Sequence, residues 1–185
     1  MRANSAGNSY LIMMVEIETK RLKLRQFILD DLDELYNLYH NPKVMKYVGK
    51  DILTKPETEA RIFSIIKSWE KNNFGMWAVV HKRDHKMIGR CGLCFLDNTP
   101  EIELGYLLNP AYWYQGLATE AAKASLRYGF EELKLEQIVA VAQPENIASR
   151  RVMEKVGMKY EKDANYYQTN VVYYTILSKE YRPIS

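Results

Sequence analysis

The sequence predicts an α+β fold built on one mixed, mainly antiparallel central sheet, and three observations carry that prediction. Three apolar stretches, Phe74 to Val80, Met87 to Leu96 and Glu101 to Leu108, are joined only by short polar links around Asp84 and at Asn98-Thr99-Pro100. Links that short connect antiparallel neighbours, because a parallel connection needs a long crossover. The third stretch then runs through Asn109-Pro110 and a small-residue turn into a long helical pattern, which leads to the apolar strand Gln137-Ile138-Val139-Ala140-Val141. Strand, helix and strand in that order set the two strands parallel. Finally, Met158 to Glu161 and Tyr167 to Leu177 read as a closing hairpin.

From the start of the chain, Arg21-Leu22-Lys23-Leu24-Arg25-Gln26-Phe27 alternates charged and apolar side chains, the period of a half-buried strand. Asp30-Asp31 opens a helix whose Leu32, Leu35, Tyr36 and Tyr39 share a face. Asn41-Pro42 ends it, because proline disfavours helical geometry in the residue before it. Thr54-Lys55-Pro56-Glu57 is a capping box with proline in the first turn, and its helix is expected to turn Phe63, Ile66 and Trp69 inward. In the central helix, Glu120, Lys123, Arg127, Glu131 and Lys134 make one polar stripe, while small residues such as Ala121, Ala122 and Gly129 allow close approach to a sheet. Asn146 caps a last helix with Val152, Met153 and Val156 inward, and Gly157 fits the left-handed position that ends it.

Nothing in the chain reads as a repeat or linker, so residues 14–185 are expected to form a single domain. Residues 1–13 carry a short apolar run behind a polar, glycine-containing segment without a small-residue cleavage site, and are expected to be a flexible extension. No apolar run approaches the ~20 residues that span a bilayer, so a soluble, cytoplasmic protein with no membrane partner is expected. A formal charge of +3 is too small to argue for nucleic acid and mildly favours an anionic cofactor. Cys91 and Cys94 form a lone Cys-x-x-Cys on an expected strand, where their side chains point to opposite faces. With no second pair and no nearby histidine, packed thiols are expected and no metal site. His81 and His85 bracket a charged turn that reads as a solvated hairpin tip.

The chemistry concentrates where the third strand becomes the central helix, at Trp113-Tyr114-Gln115-Gly116-Leu117-Ala118-Thr119-Glu120. Gly116 and Ala118 are small there, so a ligand can approach backbone N–H groups that the first helical turn leaves without partners. Free donors and the positive end of the helix favour an anion such as pyrophosphate. Tight packing explains the same small residues. The chain has neither a Gly-x-x-x-x-Gly-Lys-Ser/Thr run nor a Gly-x-Gly-x-x-Gly.

Two patterns in chain order, Trp113-x-x-Gly116-x-Ala118-Thr119-Glu120-Ala121 and Asn146-x-x-Ser149-x-x-Val152-x-Glu154-Lys155-x-Gly157, resemble the two cofactor motifs of the GNAT superfamily of acetyl-CoA-dependent N-acetyltransferases. The order of elements from Glu16 to Leu177 is similar as well. Trp113 at the head of the turn, and the opening Glu18-Thr19-x-Arg21-Leu22-x-Leu24-Arg25, are similar to the branch that acetylates N-terminal amines of ribosomal proteins. The resemblance implies helices on both faces of the sheet, acetyl-CoA as donor with CoA as product, and a primary amine as acceptor, foremost a protein N-terminus. A polyamine or aminoglycoside acceptor, or an acyl-CoA-binding module without catalysis, are the alternatives. Monomer and homodimer both fit.

The resemblance also implies roles. The N–H groups of Gln115, Gly116, Leu117, Ala118 and Thr119, beside Trp113, would hold the pyrophosphate. Leu107 and Leu108 would offer backbone groups to the pantetheine arm in a gap between the parallel strands, and Asn146 would bond the arm from the other side. Glu103, on the strand facing that gap, is the first candidate for the base, and Glu101, on the same face, is the second; two solvated strand carboxylates are the plain alternative. Many family members protonate the leaving thiolate with a tyrosine on the last helix, but Met153 stands at that position. Ser149, one turn earlier, takes the role by its place in the ribosomal-protein branch, with helix capping as the alternative. The acceptor pocket is expected between the first two helices, the loop Tyr47 to Leu53 and the final hairpin, with Tyr166, Tyr167 and Tyr173 as walls.

Overall fold

The computed structural model describes residues 14–48 and 52–183. The expected extension at residues 1–13 and the middle of the loop from Tyr47 to Leu53 lie outside the described residues. Eight strands form one sheet in the spatial order β1 (Ile17–Glu18), β2 (Leu22–Arg25), β3 (Met76–His81), β4 (Lys86–Phe95), β5 (Ile102–Leu108), β6 (Gln137–Ala142), β8 (Thr169–Leu177) and β7 (Lys159–Tyr166). All neighbours are antiparallel except β5 and β6, which are parallel. The helices are α1 (Leu32–Tyr39), α2 (Pro42–Met45), α3 (Lys55–Asn72), α4 (Leu117–Arg127) and α5 (Ile147–Lys155).

Two consecutive residues of β4 show that helices cover both faces. Side chains alternate along a strand. Cys91 Sγ lies 3.3 Å from Ser125 Oγ of α4, whereas the guanidinium of Arg90 sits 5.8 Å from the ring centre of Tyr39 on α1. The same alternation sends Cys94 to the α1 face, 4.0 Å from Glu103, so the two cysteines are separate packed thiols. Burial pushes both up to about 12, which keeps them protonated near neutral pH.

The helix signals act as read, with two corrections. The Thr54 hydroxyl accepts from the Glu57 N–H while the Glu57 carboxylate accepts from the Thr54 N–H, completing the capping box at α3. The buried stripe of α3 is Thr58, Ile62, Ile65 and Trp69, however, and Phe63 is 53% exposed. Steps of four, three and four hold one face, and Phe63 sits a hundred degrees round from Ile62. Just past α4, a Cβ at Gly129 would fall 2.6 Å from Ile138 of β6, so glycine permits the close helix–sheet approach. The helix ends earlier than its polar stripe suggests, passing at Tyr128–Glu132 into one wide π-type turn.

The closing hairpin differs in its boundaries. β7 continues to Tyr166 and the turn is Tyr167-Gln168, both with positive φ (52° and 57°). Two-residue hairpins favour such backbone angles but normally use Asn or Gly to reach them. Placing Tyr167 in the turn instead of the strand is what brings its side chain over the centre of the sheet, as described below. Among the described residues no helix is long and apolar enough to cross a membrane, and no cluster of metal-ligating side chains forms.

Candidate active site

The parallel pair at the centre of the sheet barely pairs. β6 runs beside β8 along all six of its residues, but β5 and β6 share one aligned pair, Glu103 with Val139. Past that point β5 departs and leaves a gap. The Asn109 N–H donates to the Ile88 carbonyl at 2.7 Å, so by alternation the backbone groups of Leu107 and Gly105 also face β4, while those of Tyr106 and Leu108 face the gap. Trp113 Nε1 donates to the Leu108 carbonyl at 2.7 Å, which leaves the Leu108 N–H toward the gap. Of the two leucines read from the sequence, Leu108 is the one placed to meet a chain inserted there.

A cleft of about 720 Å³ passes through this gap. On one side it is walled by α1, α3 and the β7–β8 turn, and on the other by Asn146, Ser149 and Met153 at the start of α5. Tyr166 and Tyr167 line it, as the sequence reading expects, whereas Tyr173 stands behind, donating to Glu101 at 2.5 Å.

Glu103 lines this passage and is only 8% exposed, so it is no solvated strand carboxylate. Burial pushes its carboxyl up to about 7, against the pull of the Tyr167 hydroxyl, which donates to it at 2.5 Å, and of the Arg90 charge. Tyr167 in turn is held above the ordinary tyrosine range by its own burial and by the Glu103 charge. Glu101 shares the face but is occupied by Tyr173 and, at 3.5 Å, Tyr166. The two carboxylates therefore differ in kind. Glu101 is less buried and accepts from two tyrosine hydroxyls, whereas Glu103 is nearly fully buried and accepts from one. Burial is what lets Glu103 exchange a proton near neutral pH.

That poise has a consequence for stability. With a folded value near 7 against about 4.5 unfolded, the native state binds the Glu103 proton more tightly, so the contribution is fully present below about pH 4.5 and is lost as pH rises through 7. Glu103→Gln, which is neutral throughout, is expected to melt with the wild type near pH 5 and above it near pH 8. The difference is of order 2–3 kcal/mol, read from thermal melts at the two pH values.

At the other end of β5 the small-residue turn has the form an anion needs. Gly116 takes φ +75° as the residue preceding α4, and no side chain caps the helix. The first intrahelical bond is donated by Glu120 to the Gly116 carbonyl, so the N–H groups of Leu117, Ala118 and Thr119 point out of the helix start. A Cβ at Gly116 would meet only Arg21 Nη2, at 3.6 Å. Open space, free donors and a nearby guanidinium fit a pyrophosphate. The turn is held from the link between β1 and β2: Arg21 Nη1 donates to the Gln115 carbonyl at 2.8 Å and Arg21 Nε to Glu120 at 2.7 Å, while the Arg21 N–H and the Thr19 hydroxyl donate to the same carboxylate at 2.8 and 2.7 Å. Partial burial opposes the Glu120 charge, but the Thr19 hydroxyl and the Arg21 groups hold it below the usual carboxylate range. The sequence displays Thr19 and Arg21 as a motif without a hint that they grip Glu120 about a hundred residues later.

Asn146 and Ser149 come together as a cap: the Ser149 N–H donates to Asn146 Oδ1 at 3.1 Å. The Ser149 hydroxyl is 2.9 Å from that of Tyr106, which also donates to the Ser149 carbonyl at 2.8 Å. Burial holds the Tyr106 phenol above its ordinary range. Met153 is buried below. Tyr106 went unread because strand alternation alone does not separate it from any other apolar position, and Arg90 because a lone arginine on a strand reads as a solvated side chain.

A model of the acetyltransferase (GNAT) domain matches residues 21–159. An uncharacterized N-acetyltransferase of Bacillus subtilis, YnaD, is 35% identical over 147 residues, 80% of this chain and 84% of that protein. A GNAT-family acetyltransferase from Bacillus anthracis superposes with a TM-score of 0.78 at 30% identity, over 90% of this chain and 100% of that one. The ribosomal-protein-S5-alanine acetyltransferase of Vibrio fischeri has the same fold, with a TM-score of 0.76 at 20% identity over 91% of this chain and 100% of that one. A mixed sheet with a parted parallel pair, an uncapped helix start beyond it and a family match over most of the chain lead to one conclusion: the chain belongs to the GNAT acetyltransferases, enzymes that take an acetyl group from acetyl-CoA.

Proposed function

We propose that this chain transfers the acetyl group of acetyl-CoA to the α-amine of a protein or peptide N-terminus, by direct attack of the amine on the thioester carbon. The observation that carries this reading is Glu103, buried at the middle of a cleft that passes between β5 and β6. The amine enters from the α1 and α3 side, and Glu103 takes its proton. The N–H groups of Gln115 to Thr119 hold the pyrophosphate, and Asn146 bonds the pantetheine arm. The Leu108 N–H, with the gap-facing groups of Tyr106, hydrogen-bonds along the arm and steadies the thioester oxygen. As the sulfur leaves, the Ser149 hydroxyl donates to it, and Tyr106, donating to the Ser149 carbonyl, orients that hydroxyl.

Magnitudes favour an α-amine as the acceptor. An α-ammonium titrates near 8 and an alkyl ammonium near 10, so deprotonation by a group near 7 costs about 1.4 kcal/mol for the first and about 4 kcal/mol for the second. Arg61 and Arg90 line the cleft alongside Glu57 and Glu103, so its walls carry no excess of negative charge to draw in a polyamine or an aminoglycoside. The motif likeness to the ribosomal-protein branch supports a ribosomal protein as the source of that N-terminus.

Free-thiol release from acetyl-CoA tests the reading with three acceptors: a short peptide with a free N-terminus, the same peptide blocked at its N-terminus, and spermidine. Turnover of the free peptide at least about tenfold above spermidine, and none of the blocked one, is expected from the difference in amine pKa. Faster turnover of spermidine would replace the peptide acceptor with a polyamine.

A further inference from the structure

The cleft contains a cation that the acetyl-transfer chemistry does not use. Arg90 reaches it from β4, and its Nε is fully buried with no hydrogen-bond partner, the one such side-chain atom among the described residues. Its charge cannot be relieved by deprotonation, since a guanidinium keeps its proton in proteins. Among the described residues no carboxylate lies within ion-pairing distance of it, and its close companion is Tyr39, whose ring centre lies 5.8 Å away and whose hydroxyl accepts a hydrogen bond from the guanidinium while leaving Nε without a partner. A buried donor of this kind is costly unless something accepts from it.

Register fixes where that acceptor must lie. Arg90 pairs with Leu107, Gly92 with Gly105 and Cys94 with Glu103, so Arg90 and Glu103 share the α1 face of the sheet with two glycines between them. Arg90 Nη1 comes within 3.7 Å of where a Cβ of Gly105 would stand. Glu103 is the next side chain of β5 on that face, about 7 Å along the strand. A cation and a carboxylate thus stand at neighbouring positions of one cleft without an ion pair joining them. A molecule whose amine meets Glu103 presents its neighbouring atoms to Arg90.

We infer that the acceptor carries a carboxylate close to its reacting amine, and that Arg90 binds that carboxylate and so determines specificity. This rests on the reading of Glu103 as the group that receives the amine's proton. The carboxylate has two sources with the same chemistry: an acidic side chain in the first two residues of a peptide, or the carboxyl of a free α-amino acid. In either case the fork of the guanidinium suits a planar carboxylate with two parallel bonds.

The test compares matched acceptors by thiol release on the full chain. One pair is a peptide beginning alanine-aspartate against one beginning alanine-asparagine; the other is free alanine against alaninamide, with rates expressed per neutral amine because the carboxylate of free alanine raises the pKa of its amine. The wild type is expected to favour the carboxylate member of at least one pair by about tenfold or more in kcat/KM, mainly through KM. The pair that shows the preference identifies the source. Arg90→Gln is expected to shrink that ratio to about threefold or less with acetyl-CoA affinity unchanged, and Arg90→Lys, which keeps the charge but loses the fork, to fall between. Equal turnover within both pairs by the wild type overturns the inference whether or not the variants fold. A preference that survives in folded Arg90→Gln overturns the assignment to Arg90. Failure of the wild type to bind acetyl-CoA, measured on the same sample by calorimetry, overturns the underlying acetyl-transfer reading and this inference with it.

Discussion

Glu103→Gln is expected to lower kcat/KM for the amine by about 10²–10³-fold at pH 8 while leaving acetyl-CoA affinity within about twofold. The size follows from the lack of a substitute. Glu101 is tied by Tyr173 and Tyr166, and the Cys94 thiol, 4.0 Å from Glu103, is pushed up to about 12 and has no proton vacancy near neutral pH. The pH dependence separates a base from a structural carboxylate. In the wild type, activity is expected to rise through pH 7 as Glu103 ionises, and to rise again as the amine substrate itself loses its proton near 8. In Glu103→Gln only the second rise remains. A wild-type limb near 7 that persists in the variant assigns the limb to another group, and an undiminished rate assigns deprotonation to solvent. The same substitution is expected to stabilise the fold near pH 8, so a lost rate in a more stable protein excludes unfolding as its cause.

Gly116→Glu is expected to weaken acetyl-CoA binding by about a hundredfold or more, because it sets a negative side chain where two phosphates approach the free N–H groups of α4. Adding a Cβ is not the reason. At Gly116 it would touch only Arg21 Nη2, at 3.6 Å, and the positive φ of 75° costs a side chain about 1 kcal/mol. Gly116→Ala carries that strain without the charge, so it is expected to lose no more than about tenfold in affinity. If alanine proves as damaging as glutamate, backbone conformation rather than charge governs the turn. Thermal melts of both variants without ligand control for folding. With acetyl-CoA in excess, only the wild type and Gly116→Ala are expected to gain stability.

Much of this architecture is legible in residues, and the parts that are not share a cause. The meander was readable because short links force antiparallel neighbours, the capping box at Thr54 because its geometry is local, and Gly157 because a left-handed position ending a helix favours glycine. Glu103 could be placed on the right strand and face, but its burial could not, since that depends on Tyr167 descending from a hairpin turn some sixty residues later. The turn itself was hidden because Tyr167 and Gln168 adopt positive φ without the Asn or Gly that would announce it. Phe63 was misplaced for a simpler reason. Successive apolar residues on a long helix fit more than one stripe, and only the sheet beneath α3 chooses Ile62, Ile65 and Trp69. The grip of Arg21 and Thr19 on Glu120, and the burial that leaves Nε of Arg90 unsatisfied, depend on residues far apart in sequence, and each side chain reads locally as polar strand or helix surface.

The gap between β5 and β6 and the uncapped start of α4 together make the claim that acetyl-CoA binds there, and calorimetric titration of the full-length chain with acetyl-CoA measures it directly. One site per chain, competed by CoA and abolished in folded Gly116→Glu, is the result expected. A folded wild-type protein that releases no heat and gains no thermal stability with acetyl-CoA would contradict the account.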